Sequence, residues 1–145
     1  MTVEEINYIC RGTFIELLKI EFTAYSESQV EAVMKITPEL YQPGGSVHGG
    51  ALISLAETVG SAGSFLMVDP DKFQVFGSVV NSQHLYPARK GSLHASARIV
   101  AKADFKHVWD VEIKDDDGKL ISISRVTNSV KPKPDKADQP GSYHE

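Results

Sequence analysis

Polar and apolar residues alternate along most of this chain, and one long apolar run interrupts them. Residues 19–24 set Ile20, Phe22 and Ala24 against Lys19, Glu21 and Thr23. Residues 28–38 set Val30, Ala32, Met34 and Ile36 against Glu31 and Lys35, with Val33 out of step. A period of two belongs to a strand with one buried face, so two strands joined by a turn at residues 25–28 are predicted. A short helix is expected ahead of them within residues 6–18. Residues 38–45, PELYQPGG, are turn formers and read as a loop. Residues 51–68, ALISLAETVGSAGSFLMV, are apolar nearly throughout and read as a helix. Four strand-like runs follow, at residues 74–86, 92–102, 107–114 and 120–130, with short connections that predict an antiparallel meander. Asp117-Gly118 in the last connection predicts a type I′ hairpin turn. A helix that is apolar nearly all round must be covered on most sides. A curved antiparallel sheet wrapped around it, an α+β arrangement, is the simplest cover.

The apolar run is 18 residues, a little short of the roughly 20 that cross a bilayer. It also carries Glu57 near its middle, where an acidic residue costs about 3 kcal/mol in a membrane. It is therefore read as a buried helix of a water-soluble domain with a carboxylate in it. The 145 residues suit a single domain over 1–130, followed by a proline- and lysine-containing tail, 131–145, expected to be flexible. The formal net charge is −4, which gives no general attraction to nucleic acid or to an anionic membrane. One cysteine, Cys10, rules out an intramolecular disulfide. The acidic start MTVEEINYICRG lacks the pattern of a signal peptide. A cytoplasmic location is the expectation, and no His/Cys/Asp spacing suggests a metal site.

Candidate chemistry gathers where the loop meets the apolar helix, in Gln42-Pro43-Gly44-Gly45-Ser46-Val47-His48-Gly49-Gly50. Gly49 and Gly50 fall in the first turn, whose N–H groups have no carbonyl partner inside the helix. The helix dipole adds positive potential there, and the missing side chains admit a ligand to the backbone. Together these form an oxyanion-type site. His48 can fix the loop or hydrogen-bond a ligand. Glu57 lies eight residues after Gly49, about 12 Å along the axis and about 80° round it. One helix cannot bring both to one small reacting centre, but two antiparallel copies can, so a dimer with shared sites is expected. Ser61 follows Glu57 at i+4 and can bond the carboxylate or a water beside it.

HGGALISLAET after a Gln-Pro-Gly loop, followed by NSQHLYPARKG and KHVWDVEIKDDDGKLISISR, resembles the hotdog-fold acyl-CoA thioesterases of the PaaI-type and aryl-CoA branch. The resemblance implies hydrolysis of an acyl- or aroyl-CoA, with coenzyme A as part of the substrate and no further cofactor. It implies that the Gly49 N–H polarises the thioester carbonyl and that Glu57 of the neighbouring subunit is nucleophile or general base. Gln42 and His48 would orient the thioester or the water, and Ser61 would support that water or Glu57. Gly50, Arg89, Lys106 and His107 are assigned to the CoA moiety, and a dimer of dimers is implied. A hydratase or dehydratase of acyl thioesters using Glu57 with His48, and a non-catalytic acyl-CoA-binding module, are the competing readings.

Overall fold

Each alternating run becomes a strand, and the parity of the alternation decides which side chains meet the helix. The structure, a computed structural model, describes residues 1–135. Its elements are α1 (Val3–Ile9), α2 (Phe14–Leu17), β1 (Ile20–Tyr25), β2 (Gln29–Lys35), a 3₁₀ turn (Pro38–Leu40), α3 (Gly49–Phe65), β3 (Phe73–His84), β4 (Ser92–Lys102), β5 (Lys106–Lys114) and β6 (Leu120–Pro132). The six strands form one antiparallel sheet in the order β1-β2-β4-β5-β6-β3. Phe22, Met34, Leu93, Ala97, Trp109, Val111 and Val126 face the side on which α3 packs, and all are buried. Among the described residues no helix is long and apolar enough to cross a membrane.

Four expectations need correction. The single helix within residues 6–18 is two, because Gly12 takes a left-handed φ of +73° between them. Each helix has its own threonine cap. Thr2 forms a capping box with Glu5, and Thr13 accepts from the Ile15 N–H. The meander is also interrupted. β4, β5 and β6 are consecutive neighbours, but β3 lies beyond β6 while β4 pairs with β2. The inward row of β4, with Leu93, Ala95 and Ala97 all buried, suits a strand paired on both edges. β3, with Asn81, Ser82 and Gln83, suits an outer edge. Residues 85–91 carry the chain across the end of the sheet, a reach of roughly 23 Å for seven extended residues. This crossing is pinned by Val47 N–H to Ala88 O (2.8 Å), Ile36 N–H to Gly91 O (2.9 Å) and the Tyr41 hydroxyl to Arg89 O.

The third correction concerns the last hairpin. Only Gly118 has a positive φ there (+80°), so Asp117 does not take part in a type I′ turn. The Asp115 carboxylate instead accepts from the Asp117 and Lys119 N–H groups and shapes a wider loop. The fourth concerns the tail. Lys131 and Pro132 complete β6, pairing with Gln74 and Phe73, because β3 starts early enough to give them a partner. The rest of the expected tail from residue 136 onward lies outside the described residues.

α3 approaches the sheet closely at two glycines. A Cβ on Gly60 would stand 2.8 Å from the Val126 side chain, and one on Gly63 would stand 2.2 Å from Trp109 Cη2. Neither neighbour has room to retreat, since Trp109 and Val126 are fully buried. Overpacking of this kind costs about 1–3 kcal/mol. Gly63→Ala is therefore expected to lower Tm by several degrees in calorimetry, despite the better helix propensity of alanine. An unchanged or raised Tm would refute the contact.

Candidate active site

At its N-terminal end α3 keeps one donor free. His48 is the N-cap, and its Nδ1 accepts from the Gly50 N–H at 2.8 Å. The Ala51 and Leu52 N–H groups both turn to His48 O. Among the described residues the Gly49 N–H has no hydrogen-bond partner. It borders a cleft of about 360 Å³ that Gln42, Leu52, His84 and Tyr86 also line. Gln42 is folded onto its own loop, its Nε2 donating to Ser46 Oγ (2.8 Å) and its Oε1 accepting from the Gly44 N–H.

His84 joins this cleft, although residue spacing alone suggests only a strand-surface or packing role for it. A Cβ at position 49 would lie 3.0 Å from His84 Nε2, so glycine is what lets the imidazole rest against the helix start. Ser122 Oγ donates to Gln83 O and must therefore accept from the N–H at His84 Nδ1, 2.9 Å away. With Nδ1 donating to Ser122, Nε2 is the ring nitrogen turned to the Gly49 side. The alternation of β3 conceals this. A bulge between Gly77 and Val79 switches parity midway, so counting in twos from Val75 points His84 to the wrong face.

Glu57 belongs to a different cavity. It is exposed, not buried as its apolar neighbours suggested, because it lies on the side of α3 toward β3, the last strand of the sheet among the described residues. Its carboxylate rests over Gly77, where a Cβ would come within 2.6 Å of Oε1. The cavity beside it has a volume of about 850 Å³ and mostly apolar walls, including Ile9, Phe14, Phe22, Phe65 and Val75. Ser61 opens into the same cavity and its hydroxyl bonds Asn128 Oδ1 at 3.2 Å. Tyr25, on the same wall, donates to Ala62 O at 2.6 Å. Burial and the nearby Cys10 push its hydroxyl up to about 12. The residues expected to act together thus fall into two groups in one chain: Gly49, His48 and Gln42 with His84, and Glu57 with Ser61.

The four residues assigned to the CoA moiety are not gathered. The Gly50 N–H is engaged by His48. Arg89 and Lys106 are both exposed but stand at opposite ends of β4, whose 11 residues span roughly 35 Å. One nucleotide cannot touch both within a chain. His107 is the clear correction, being only 2% exposed and unable to meet a phosphate in solvent. β5 begins at Lys106, which puts His107 in phase with inward-facing Trp109 and Val111. Its Nδ1 lies 2.9 Å from Ser64 Oγ. That oxygen already accepts from Trp109 Nε1 and Asn128 Nδ2, both at 2.9 Å, so its own proton goes to His107. Among the described residues no cluster of His, Cys, Asp or Glu is arranged to hold a metal ion.

Residues 44–122 match the model of the thioesterase superfamily. A 1,4-dihydroxy-2-naphthoyl-CoA hydrolase of Escherichia coli is 31% identical over 130 residues, which cover 90% of this chain and 95% of that protein. The crystal structure of a mutant thioesterase from Pseudomonas aeruginosa superposes with a TM-score of 0.88 at 35% identity, covering 92% of this chain and 96% of that one. A thioesterase structure from Haemophilus influenzae gives 0.86 at 34% identity, with 91% and 92% covered.

The Ser64 hydroxyl has a consequence for acid stability. Burial, and secondarily Lys102, hold His107 below its ordinary value of 6.5. The unfolded chain therefore takes up the proton first. The stability contributed by the neutral ring is complete above about pH 6.5 and is lost as pH falls toward the depressed folded value. Thermal unfolding between pH 8 and pH 5 should show Tm falling below that point. The fall should be shallower in His107→Asn, whose side chain offers Ser64 an acceptor that does not titrate. Equal slopes for the two proteins would refute this role.

Proposed function

The chain belongs to the thioesterase superfamily and is a thioester-cleaving enzyme, and on that footing we propose that it hydrolyses an acyl- or aroyl-CoA at sites shared between two protomers. The Gly49 N–H of one protomer polarises the thioester carbonyl, and Glu57 of the other attacks it or draws a proton from water. Over the whole reaction an oxygen of water becomes bonded to the acyl carbon, the carbon–sulfur bond breaks, and the thiolate of CoA takes up a proton. Negative charge grows on the carbonyl oxygen during attack, and a donor with no competing partner at a helix start stabilises that charge.

The single observation that carries this reading is the position of the two groups along β3. Glu57 rests over Gly77, near the middle of the edge strand β3, and Gly49 rests over His84, its last residue, seven positions on. A strand of 12 residues whose outer edge has no partner among the described residues, with Phe76 and Val79 exposed, is a ready template for a second chain. Antiparallel self-pairing about Val80 and Asn81 sets residue 77 of one copy opposite residue 84 of the other. Gly49 and His84 then face the partner's Glu57 across the seam. The cavity of about 850 Å³ beside Glu57 receives the acyl group, and its walls favour an apolar aliphatic chain or an aromatic ring system. The hydratase reading pairs His48 with Glu57, but His48 Nδ1 is committed to capping Gly50.

Glu57→Ala should lower kcat at least 100-fold on a panel of aliphatic and aromatic CoA thioesters while substrate still binds. Co-refolding that variant with Gly49→Pro, which lacks the N–H, should return activity, since each heterodimer holds one intact site. Heterodimers seen by native mass spectrometry without any activity would overturn the sharing. Full turnover by Glu57→Ala would overturn the catalytic assignment itself.

A further inference from the structure

We infer that Asn128 is a positioning residue that turns Ser61 into a hydrogen-bond acceptor, so that Ser61 holds the lytic water and not the Glu57 carboxylate. This rests on the thioesterase reading above. It follows from a chain of partners in which each proton has one place to go. Asn128 is fully buried on β6 and sits beside Gly77 in the sheet register. Its side-chain nitrogen is 3.0 Å from Gly60 O. A carbonyl oxygen only accepts, so the NH₂ end of the amide must face the helix there. The same NH₂ donates to Ser64 Oγ at 2.9 Å. The opposite end, Oδ1, is thereby left facing Ser61 Oγ at 3.2 Å. An amide oxygen also only accepts, so the Ser61 proton must point at it.

With its proton directed inward, Ser61 offers only lone pairs to the cavity that Glu57 borders. It cannot donate to the carboxylate. A water between the two is gripped by both of its hydrogens, one toward Ser61 and one toward Glu57, and its own lone pair is free for the acyl carbon. The placement is set by two layers in register. Glu57 and Ser61 are one helical turn apart on α3, and beneath them Gly77 and Asn128 are direct neighbours on β3 and β6. Of the two partners open to Ser61, this selects the water, poised for direct attack on the thioester with the free Glu57 carboxylate to take its proton.

The pH–rate profile separates the possibilities, because a donor to a carboxylate favours its charged form and draws the acid limb to lower pH. The other titratable residues lining the cavity are Met1 with its α-amine, Cys10, Tyr25 and Lys133, and the variants leave them unchanged. Ser61→Ala should lower kcat about 10-fold with KM nearly constant and the acid-limb midpoint unmoved. Asn128→Leu frees the Ser61 proton to swing to Glu57, so the midpoint should fall by at least about half a unit. In the Ser61→Ala background, Asn128→Leu should leave the midpoint in place. An upward shift of half a unit or more in Ser61→Ala overturns the inference, even if Asn128→Leu does not fold. So does an Asn128→Leu shift that is the same with and without Ser61. Failure of the thioesterase reading would instead appear as full activity in Glu57→Ala, so the two failures are distinguishable.

Discussion

The nearness of α3 to the sheet governs this molecule. Two glycines on the inward side of the helix, Gly60 and Gly63, remove the side chains that would hold Val126 and Trp109 at a normal distance. Serine side chains, which reach only one heavy atom beyond Cβ, can then bridge helix and sheet. Ser61 meets β6 through Asn128, and Ser64 meets β5 through His107 and Trp109 as well as β6 through Asn128. A helix spaced by leucine or isoleucine would leave those strand groups buried without partners, at about 1–3 kcal/mol each. Among the described residues no buried side-chain nitrogen or oxygen lacks a partner.

The same nearness explains how an apolar helix carries polar work along one line. Glu57, Ser61 and Ser64 recur at i, i+4 and i+7 and meet β3, β6 and β5 in turn. Farther up the helix a different economy applies. The imidazole of His48 caps Gly50, the backbone oxygen of His48 serves Ala51 and Leu52, and of this first turn Gly49 alone has an N–H with no partner among the described residues. A donor that no protein group competes for is fixed in place before any ligand arrives, which is what electrostatic stabilisation of a developing oxyanion requires.

Much of this was legible in the residues because strand and helix periods are local properties. The run at residues 92–102 alternates with only Val100 out of step, and β4 falls on it. The loop 42–50, the helix start and the i, i+4 relation of Glu57 and Ser61 are likewise local. What escaped is non-local or hidden by a parity change. The place of β3 beyond β6 depends on which edge of β4 is taken by β2, some 60 residues earlier in sequence. The inward turn of His84 depends on the bulge after Gly77. The burial of His107 was readable in principle, since it shares the parity of Trp109, but a histidine at the start of a basic strand end suggests solvent. The exposure of Glu57 follows from the sheet ending at β3, which no single segment reveals.

The crossing of residues 85–91 also shapes how the chain must fold. β4, β5 and β6 are joined by short connections and can pair soon after the chain collapses. β3 reaches its place only by closing against β6, with Gly77 meeting Asn128 across 51 residues of sequence. Non-local closures of this kind lose much chain entropy before contacts reward them, and they are slow steps in β-rich domains. Gly77 and His84, the strand positions beneath Glu57 and Gly49, therefore arrive with the late event. A refolding population that regains most of its sheet and its buried tryptophan before β3 closes would still lack both ends of the site, and recovery of fluorescence is then expected ahead of recovery of turnover.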